Sequence, residues 1–508
     1  MHAADTIREG CFINNPLAVK ILCKNAPKAI NELVNYGVKF HREKDGKISQ
    51  RFFGAATYRR ACFAGDHTGK EILNALVNQI EKRKIRFKDQ VYIFSLLKNQ
   101  DKVNGALGLD IKNGEIIIFH SKIVILATGG FSRVFARSSS RFWENNGDGI
   151  YLAYDIKAKF IDMEMFQFHP TGMLYPKEAE GILVTEAVRG EGGILLNSKY
   201  ERFMEKYDPK RLELSARDIV SRAIYEEVKI GNGTKHGGVW LDITNKPKNY
   251  IIKRLPRMYY QFKRYANIDI SKEKMEVGPT AHYSMGGIYV NFKTGKINVK
   301  RLYAIGEVTG GLHGANRLGG NSLAEIIVFG RLNALNIING IKKINFISLD
   351  DNLINNKIKN FMKKLSNNGK NPILIMKKIQ DLMWKDVGVI RNGKDMKKVL
   401  KDLKKLSKIK LKTGINLKNN QNLIAALNIQ NMLPCLEMII RSALYRKESR
   451  GTHFRKDYPK SLEKWKKNII CFPNSKNIKI ITKNISKIPK DIKKILNKKI
   501  KTEVHLLE

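Results

Sequence analysis

The chain has 508 residues, which exceeds what a single hydrophobic core accommodates and predicts about three domains. Hydrophobic residues make up 43% of it, yet we find no apolar run that reaches the roughly 18 residues needed to span a bilayer. The net charge of +46 admits a nucleic-acid partner, but the lysines are spread along the chain without interleaved aromatic residues. The favoured explanation of the high net charge is a general drift of the composition toward lysine, asparagine and isoleucine. A nucleic-acid partner is therefore not expected.

Residues 1–10 lack a basic patch followed by an apolar stretch, so no signal peptide is expected. The chain is expected to be soluble, or held on a membrane through partners. No two of its cysteines form a C-x-x-C pair, which favours a reducing cytoplasm over a disulfide framework. It also argues against an iron–sulfur cluster in this chain, and we predict no metal site. The five cysteines are Cys11, Cys23, Cys62, Cys435 and Cys471.

In chain order, the first predicted helix has Ile30, Leu33 and Val34 on one face and ends at Gly37. A second helix has the capping-box spacing of Thr68 and Glu71. It also has an apolar face, formed by Leu73, Leu76, Val77 and Ile80.

Strands are predicted after residue 90, with turns at Asn104-Gly105 and Asn113-Gly114. The apolar run Ile123–Gly130 is typical of a buried parallel strand whose carboxyl end approaches a ligand. Residues 278–330 again have a glycine-rich pattern that predicts strands and turns, and a helix is predicted from Leu323. Amphipathic helices are predicted over 350–450, and the remainder is basic and weakly patterned.

Four polar clusters carry the chemistry. They are Phe166–Gly172, Leu183–Gly193, Ser215–Arg222, and Ala281–Gly287 with His313–Arg317. Taken singly, each histidine or arginine is more often structural than functional. A site for a small doubly negative acid needs cationic donors for both ends, and arginine suits this role through its bidentate geometry.

In this order, the clusters resemble the flavoprotein subunit of succinate dehydrogenase and fumarate reductase over nearly the whole chain. Ser449–Arg455 resembles that family's C-terminal domain. The L-aspartate oxidases share the frame, but Gly172, Gly193 and Leu318–Gly320 favour the dicarboxylate branch. The resemblance implies an α/β fold, with a Rossmann-like FAD-binding domain, an inserted α+β capping domain and a C-terminal helical domain.

The implied domains divide the chain into five parts. These are the first part of the FAD-binding domain (1–160), the capping domain (161–280), the second part of the FAD-binding domain (281–346), the helical domain (347–450) and the basic C-terminal region (451–508). By resemblance, the first and third parts together would hold FAD, and the capping domain would cover the substrate.

By resemblance, four residues would hold a C4 dicarboxylate: His169, Thr185, His282 and Arg317. Arg217 would transfer a proton to or from the substrate carbon, with Glu186 and Arg189 resupplying it. Read without the family, Arg217 and Asp218 are equally well explained as a structural ion pair. The residues that would contact FAD are Asp148, Glu307, Asn321, Ser322 and Leu323.

No G-x-G-x-x-G follows a strand near the N-terminus, so the FAD-binding domain is expected to be incomplete there. The histidine that attaches FAD covalently in the family has no counterpart, and FAD is expected to bind non-covalently and weakly. The implied partner is an iron–sulfur subunit, with membrane anchor subunits through it, at the inner face of the cell membrane. The alternatives are L-aspartate oxidase, a thiol-linked fumarate reductase and a truncated inactive copy.

Overall fold

The computed structural model describes residues 1–474 and 477–498. The helices it contains there are α1 (His2–Glu9), α2 (Pro16–Asn35), α3 (Thr68–Lys82), α4 (Asp148–Asp155), α5 (Ala187–Gly190), α6 (Met204–Tyr207), α7 (Arg217–Glu227), α8 (Lys248–Arg254), α9 (Pro256–Ala266), α10 (Asn321–Ile341), α11 (Asp351–Met362), α12 (Pro372–Val387), α13 (Gly393–Leu406), α14 (Gln421–Tyr445) and α15 (Lys490–Leu496).

The strands in the same described ranges are β1 (Gln50–Arg51), β2 (Ala61–Cys62), β3 (Val91–Asn99), β4 (Lys102–Asp110), β5 (Ile116–His120), β6 (Val124–Leu126), β7 (Phe160–Ile161), β8 (Phe166–Met173), β9 (Ile194–Leu196), β10 (Val239–Asp242), β11 (Met275–Ser284), β12 (Gly287–Tyr289), β13 (Leu302–Ala304), β14 (Thr309–Gly310), β15 (Lys467–Pro473) and β16 (Ile478–Asn484). The larger sheets have the orders β14-β12-β7-β15-β16 and β8-β11-β10-β9. A meander β3-β4-β5 and a parallel pair β13-β6 complete the strands that position the site.

The first predicted helix is confirmed and is longer than the pattern suggested. It is α2, which begins at Pro16 after the Asn15 side chain accepts hydrogen bonds from the first turn. Gly37 has a φ of 101°, and the Val38 N–H donates to the Leu33 carbonyl beyond it. This bond closes the carboxyl end of the helix in the way that glycine permits.

The second predicted helix is α3, but its capping box is absent. Its N-cap is His67, which makes no side-chain cap, while the Thr68 hydroxyl accepts from the Ala64 N–H. The apolar face predicted for this helix is largely exposed, and Leu73 shows 61% of its surface. Burial falls instead on Ile72 and Ala75, which pack near α2 and α10.

One of the two predicted turns is correct. Asn113-Gly114 separates β4 from β5, with Gly114 at a φ of 78°. Asn104-Gly105 lies inside β4, so the turn predicted there is wrong. A side chain at position 105 would collide with the Phe119 carbonyl of β5. This glycine therefore serves close strand contact rather than a turn.

The predicted parallel strand exists as β6, which pairs in parallel with β13 over three residues. It is not fully buried, because Ile125 is 42% exposed. The chain leaves β6 through Gly129 and Gly130 at its carboxyl end. The carboxyl end of β13 lies beside it and leads into Glu307.

The segment from β8 to β11 forms an α+β unit with its own hydrophobic core, built largely by side chains of β8 to β11, α7, α8 and α9. The antiparallel pairing of β8 with β11 has two register shifts, between Gly278 and Thr280 and between Ala281 and Tyr283. His282 occupies the second irregularity. Such bulges bend a strand and re-aim a side chain.

Helices are confirmed across 350–450 as α11 to α14. One of them, α14, is long and apolar enough to cross a membrane, with a mean hydropathy of 1.5 over its most apolar 18 residues. The expectation that no stretch reaches that length is therefore wrong. Of that window, 72% is buried within the protein, as in the core helix of a soluble domain.

The weak pattern predicted after 450 is also wrong for part of that region. Strands β15 and β16 pair along seven residues each, and β15 joins β7. The Ile469 N–H and the Asn468 amide both donate to the Asp162 carboxylate, which ties this hairpin to the main sheet. The end of the predicted 451–508 region, with residues 475 and 476, lies outside the described residues.

Candidate active site

Two guanidinium groups meet one carboxylate and one amide at the centre of the site. Arg217, the first residue of α7, donates from Nε and Nη2 to Glu186 Oε2 at 2.9 and 2.6 Å. Its Nη1 donates to Gln167 Oε1 at 3.0 Å, and Arg317 Nη2 donates to that same oxygen at 3.0 Å. Because all four side chains are buried, these charge-assisted bonds fix both arginines firmly.

The two predicted histidines face each other across the β8 and β11 pair. The ring centroids of His169 and His282 are 5.3 Å apart. His282 Nδ1 lies 2.9 Å from the Ser139 hydroxyl, and His169 Nδ1 contacts the Thr171 backbone. Burial first and the neighbouring guanidinium charges second lower both histidine pKa values well below the ordinary one, so both rings are neutral.

Thr185 lies on the loop beside His169, held there because the Thr171 hydroxyl donates to the Val184 carbonyl at 2.8 Å. The Thr185 hydroxyl is buried and, among the described residues, has no hydrogen-bond partner. The same holds for Arg317 Nε. Buried polar atoms are nearly always satisfied, so these two point to a polar ligand.

Arg317 reaches the site from the loop before α10, with its guanidinium carbon 4.5 Å from the centre of the Tyr283 ring. Burial and the nearby Arg217 charge lower the pKa of Arg317 to about 10. A negatively charged ligand beside Arg317 would offset both effects and is therefore favoured there. The Tyr283 hydroxyl is occupied elsewhere, because it donates to Glu325.

The predicted proton path runs outward from Arg217. Glu186 Oε1 accepts from the Gly54 N–H at 2.5 Å, so both its oxygens are engaged. Burial opposes its charge, but Arg217 and Arg189 outweigh burial and hold the pKa of Glu186 at about 2. Arg189 lies one turn further, on α5, where its Nη1 donates to the Glu213 carbonyl at 2.5 Å.

Arg189 and Glu186, both described residues, share no hydrogen bond. The Nε and Nη2 of Arg189 are buried and have no partner in the described ranges. A cavity of about 1310 Å³ adjoins them, lined by Gly54 and Arg189 together with residues of the 50–59 and 209–214 segments. The path from Arg217 through Glu186 thus ends beside a solvent-sized space.

The residues predicted to contact a flavin fall into two places. Glu307 follows β13 and accepts at 3.0 Å from the N–H of Ser284, the last residue of the strand that carries His282. Burial raises the pKa of Glu307 to about 7. Asp148 is elsewhere: its carboxylate accepts from Tyr92 and Asn431, which join the meander to α14.

Asn321, Ser322 and Leu323 form the first turn of α10, after Gly320 at a φ of 84°. The Asn321 amide bonds to His2 at 2.7 Å and Thr6 at 3.0 Å, both on α1. Ser322 and Leu323 are half-buried, and Leu323 packs toward α3. Their backbone N–H groups belong to a helix start, which favours negative charge.

The carboxyl ends of β6 and β13 are the predicted place for a flavin. A side chain at Gly130 would collide with Ser284 and Glu307, so the protein's own side chains approach the backbone closely at this glycine. Gly319 has a similar relation to Phe53, whose ring lies against the start of α10. The residues that would hold the ring and ribose are Glu307, Asn321 and Ser322, whereas the sequence offers no glycine fingerprint for the pyrophosphate.

Sequence reasoning missed four side chains that shape this site: Gln167, Asn316, Ser139 and His2. Gln167 had a readable signal, since residues two apart on a strand share a face and His169 is two positions further. Asn316 precedes Arg317 in a cluster already singled out. The contacts of Ser139 and His2 cross long sequence separations, which local patterns do not encode.

Comparison with known proteins identifies the class. Residues 1–323 match the FAD binding domain family and residues 376–501 match the fumarate reductase flavoprotein C-terminal family. The chain is 42% identical over 475 residues to a chain of the fumarate reductase (CoM/CoB) of Methanothermobacter marburgensis, covering 92% of this chain and 85% of that one. It is 36% identical to the succinate dehydrogenase flavoprotein subunit of Rickettsia conorii, covering 92% and 82%.

Solved structures agree. Quinol fumarate reductase of Escherichia coli superposes with a TM-score of 0.89 at 28% identity, covering 96% of this chain and 87% of that one. Mycobacterium smegmatis Sdh1 superposes with a TM-score of 0.84 at 37% identity, covering 97% and 85%. The fold and site define an FAD-binding oxidoreductase. The chain belongs to the family of fumarate reductase and succinate dehydrogenase flavoprotein subunits, and the predicted fold class and family are confirmed.

Proposed function

We propose that this chain interconverts succinate and fumarate. The observation that carries the proposal is the convergence of Arg217, Arg317, His169 and His282 in one buried site. Both relatives named above carry this activity in their names. A C4 dicarboxylate is the small acid that uses donors at both ends.

Each end of the substrate has its own donors. Arg317 and His282 would bind one carboxylate, with the free Arg317 Nε as donor. Thr185 and His169 would bind the other through the unpartnered hydroxyl and the ring Nε2. A neutral histidine can donate one ring hydrogen without a counter-ion, so the lowered pKa values suit this task.

Arg217 would exchange the proton at the substrate carbon. FAD, when bound, supplies the hydride chemistry that no side chain can perform. The ordinary pKa of arginine, above about 12, makes it a poor acid unless it is reprotonated at once. Glu186 holds the Arg217 guanidinium in place, and Arg189 beside the cavity would return the proton from water.

On the cofactor side, Glu307 would bind the FAD ribose, and the Asn321–Leu323 turn would complete the contacts. The carboxylate of Asp148, which was also predicted to contact FAD, is engaged by Tyr92 and Asn431. We infer that these residues hold FAD non-covalently. Electrons would pass to or from an iron–sulfur subunit, as the assemblies of the flavoprotein subunits imply. A cytoplasmic position, peripheral on the membrane through anchor subunits, follows from that partnership.

Direct assay tests the activity. Flavin-loaded protein with a reduced dye should convert fumarate to succinate, and with an oxidised dye should do the reverse. L-aspartate should give no turnover. Oxidation of aspartate without any reaction of succinate would sink the proposal and support L-aspartate oxidase. Acid precipitation should release the flavin; flavin retained in the pellet would contradict non-covalent binding.

A thiol-linked fumarate reductase is the second candidate. It is favoured by the relative of 42% identity named for coenzymes M and B. Supplying coenzyme M and coenzyme B to the purified complex separates the candidates, because only this one predicts thiol-dependent formation of succinate.

A further inference from the structure

A single amide oxygen stands between the two arginines of the site. Gln167 Oε1 accepts from Arg217 Nη1 and from Arg317 Nη2, each at 3.0 Å. Gln167 is completely buried on β8, as is the rest of its strand. Like charges so close repel each other, and the shared oxygen is a dipole that both guanidinium groups face with their donors.

The orientation of this amide is fixed by its other end. Gln167 Nε2 donates to Asn316 Oδ1 at 2.7 Å and to the Arg317 carbonyl at 2.9 Å. A flipped amide would aim N–H groups at both guanidinium groups and oxygen at two acceptors. Only one orientation satisfies every atom.

Asn316 is oriented in turn by carboxylates. Its Nδ2 donates to Glu9 Oε1 at 2.7 Å and to Asp218 Oδ1 at 2.8 Å. Asn316 Oδ1 therefore faces Gln167 and also accepts from the Arg317 N–H at 3.1 Å. The order of donors and acceptors runs from two acids on α1 and α7, through two amides, to the two arginines.

We propose that Gln167 is a positioning residue that sets the spacing of Arg217 and Arg317 and keeps the acceptor between them neutral. The inference rests on the proposed function. A neutral acceptor leaves the positive charge of Arg317 for the dicarboxylate, while Arg217 keeps its pairing with Glu186. A carboxylate at this place would pair with both arginines itself and compete with the substrate, while an apolar side chain would leave donors unsatisfied and free to turn.

Two substitutions separate these effects. Gln167→Glu preserves size and should weaken binding, raising the KM for fumarate by about tenfold or more while kcat falls less. Gln167→Met preserves volume without an acceptor and should lower kcat by about a hundredfold through a misaimed Arg217, with a smaller change in KM. The Kd for malonate, a dicarboxylate that cannot react, should follow the KM in each variant.

Gln380→Met is the matched control. Gln380 is an equally buried glutamine on α12, and its amide donates to the Arg133 carbonyl, away from both arginines. Its substitution should leave kcat, KM and malonate binding unchanged, whatever it does to thermal stability. If Gln167 had only a structural role, its substitutions would lower thermal stability, as Gln380→Met can. They would not change mainly KM in Gln167→Glu and mainly kcat in Gln167→Met.

The outcomes separate the two claims. If the wild-type protein turns over fumarate and both Gln167 variants match Gln380→Met in kcat, KM and malonate binding, the inference is overturned and the function stands. If the wild type does not turn over fumarate, the proposed function fails. Malonate binding still decides the role of Gln167, because Gln167→Glu must weaken it relative to Gln167→Met. If Gln167→Met does not fold, the malonate Kd of Gln167→Glu alone carries the test.

Discussion

On the dicarboxylate side of the site, Arg217, Glu186, Gln167 and Arg317 exchange hydrogen bonds among themselves and are nearly closed to solvent. On the flavin side, β6 pairs with β13 within the described residues and leaves Ile125 42% exposed. The first half is held in shape by contacts within the chain. The second half supplies glycines, a buried acid and a helix start, and its side chains bond to other elements, as Asn321 does to His2 and Thr6 on α1.

The difference indicates where preorganisation resides. A preorganised set of charges acts at the moment of reaction without rearranging, and the buried ion pair of Arg217 with Glu186 lies in this half. The flavin half is expected to gain order when its ligand binds, since a ligand stabilises the form that it binds. Substitutions on the first side should therefore change chemistry and binding, and those on the second should change stability and flavin affinity.

The largest effect is expected for Arg217→Ala. Turnover of fumarate should fall by about 10⁴-fold, since proton transfer is lost and Glu186 is left as an unpaired buried anion. Dicarboxylate binding should remain largely intact, because Arg317, Thr185 and both histidines still hold the carboxylates. Steady-state assay and malonate titration of the flavin-loaded protein measure the two quantities.

Arg331→Ala provides the control for removal of an arginine. Arg331 pairs with Glu32 at the surface between α10 and α2, remote from the relay. Its loss should leave turnover unchanged. Near-normal turnover in Arg217→Ala would show that another group donates the proton and that the ion pair with Glu186 is structural.

A smaller but broader loss is expected for Arg317→Ala. Malonate affinity should fall by about a hundredfold, because one carboxylate loses its charged donor, and turnover should fall with it. Arg317→Lys should recover little, since a point charge cannot replace the planar fork that meets Gln167 and Tyr283. If binding survives in Arg317→Ala, the substrate does not use this residue.

Thr185 offers a milder test of the same half. Thr185→Val should weaken malonate binding by about tenfold, since a neutral donor is removed from a site that already holds charges. Thr185→Ser should retain affinity because it keeps the hydroxyl. Equal affinities of the two variants would mean that the unpartnered Thr185 hydroxyl does not face the substrate.

Local patterns predicted much of the fold. The stop of α2 at Gly37, the turn at Asn113-Gly114 and the parallel strand β6 follow from residue types and periods that act over short distances. The Asn104-Gly105 turn failed because the glycine meets the Phe119 carbonyl of a neighbouring strand, a contact between distant residues. The apolar face of α3 was visible as a period, but period alone does not tell whether another element covers it.

For the site, the sequence named the charged residues and the resemblance supplied their roles. The structure brings His169, His282, Arg217 and Arg317 together, whereas Asp148 bonds to Tyr92 and Asn431 instead. The neutral residues that orient the charges were missed, and Gln167 is the main example. An amide carries no charge and no motif, so its importance emerges only when both arginines are seen to share its oxygen.

The flavin side makes the smallest prediction, and it concerns stability rather than turnover. Burial raises the pKa of Glu307 from its usual 4.5 to about 7. The unfolded chain therefore loses this proton at lower pH than the folded one. Below pH 4.5 the contribution of Glu307 is fully present, and it is lost as the pH rises through 7, by about 3 kcal/mol in all. Glu307→Gln should remove this loss.

Thermal unfolding of the flavin-free protein between pH 5 and pH 8 measures this pH-dependent loss of stability. Relative to wild type, Glu307→Gln should gain stability as the pH rises, while Glu81→Gln, at an exposed position on α3, should follow wild type throughout. Adding FAD should reduce the loss of stability that the wild type shows as the pH rises. The reason is that a ribose hydroxyl that donates to the Glu307 carboxylate stabilises its charged form. If the plots of stability against pH for Glu307→Gln and wild type stay parallel, both with and without FAD, the buried Glu307 carboxyl does not contact the flavin. The flavin half would then be as settled by its own contacts as the dicarboxylate half, and the contrast between them would fall.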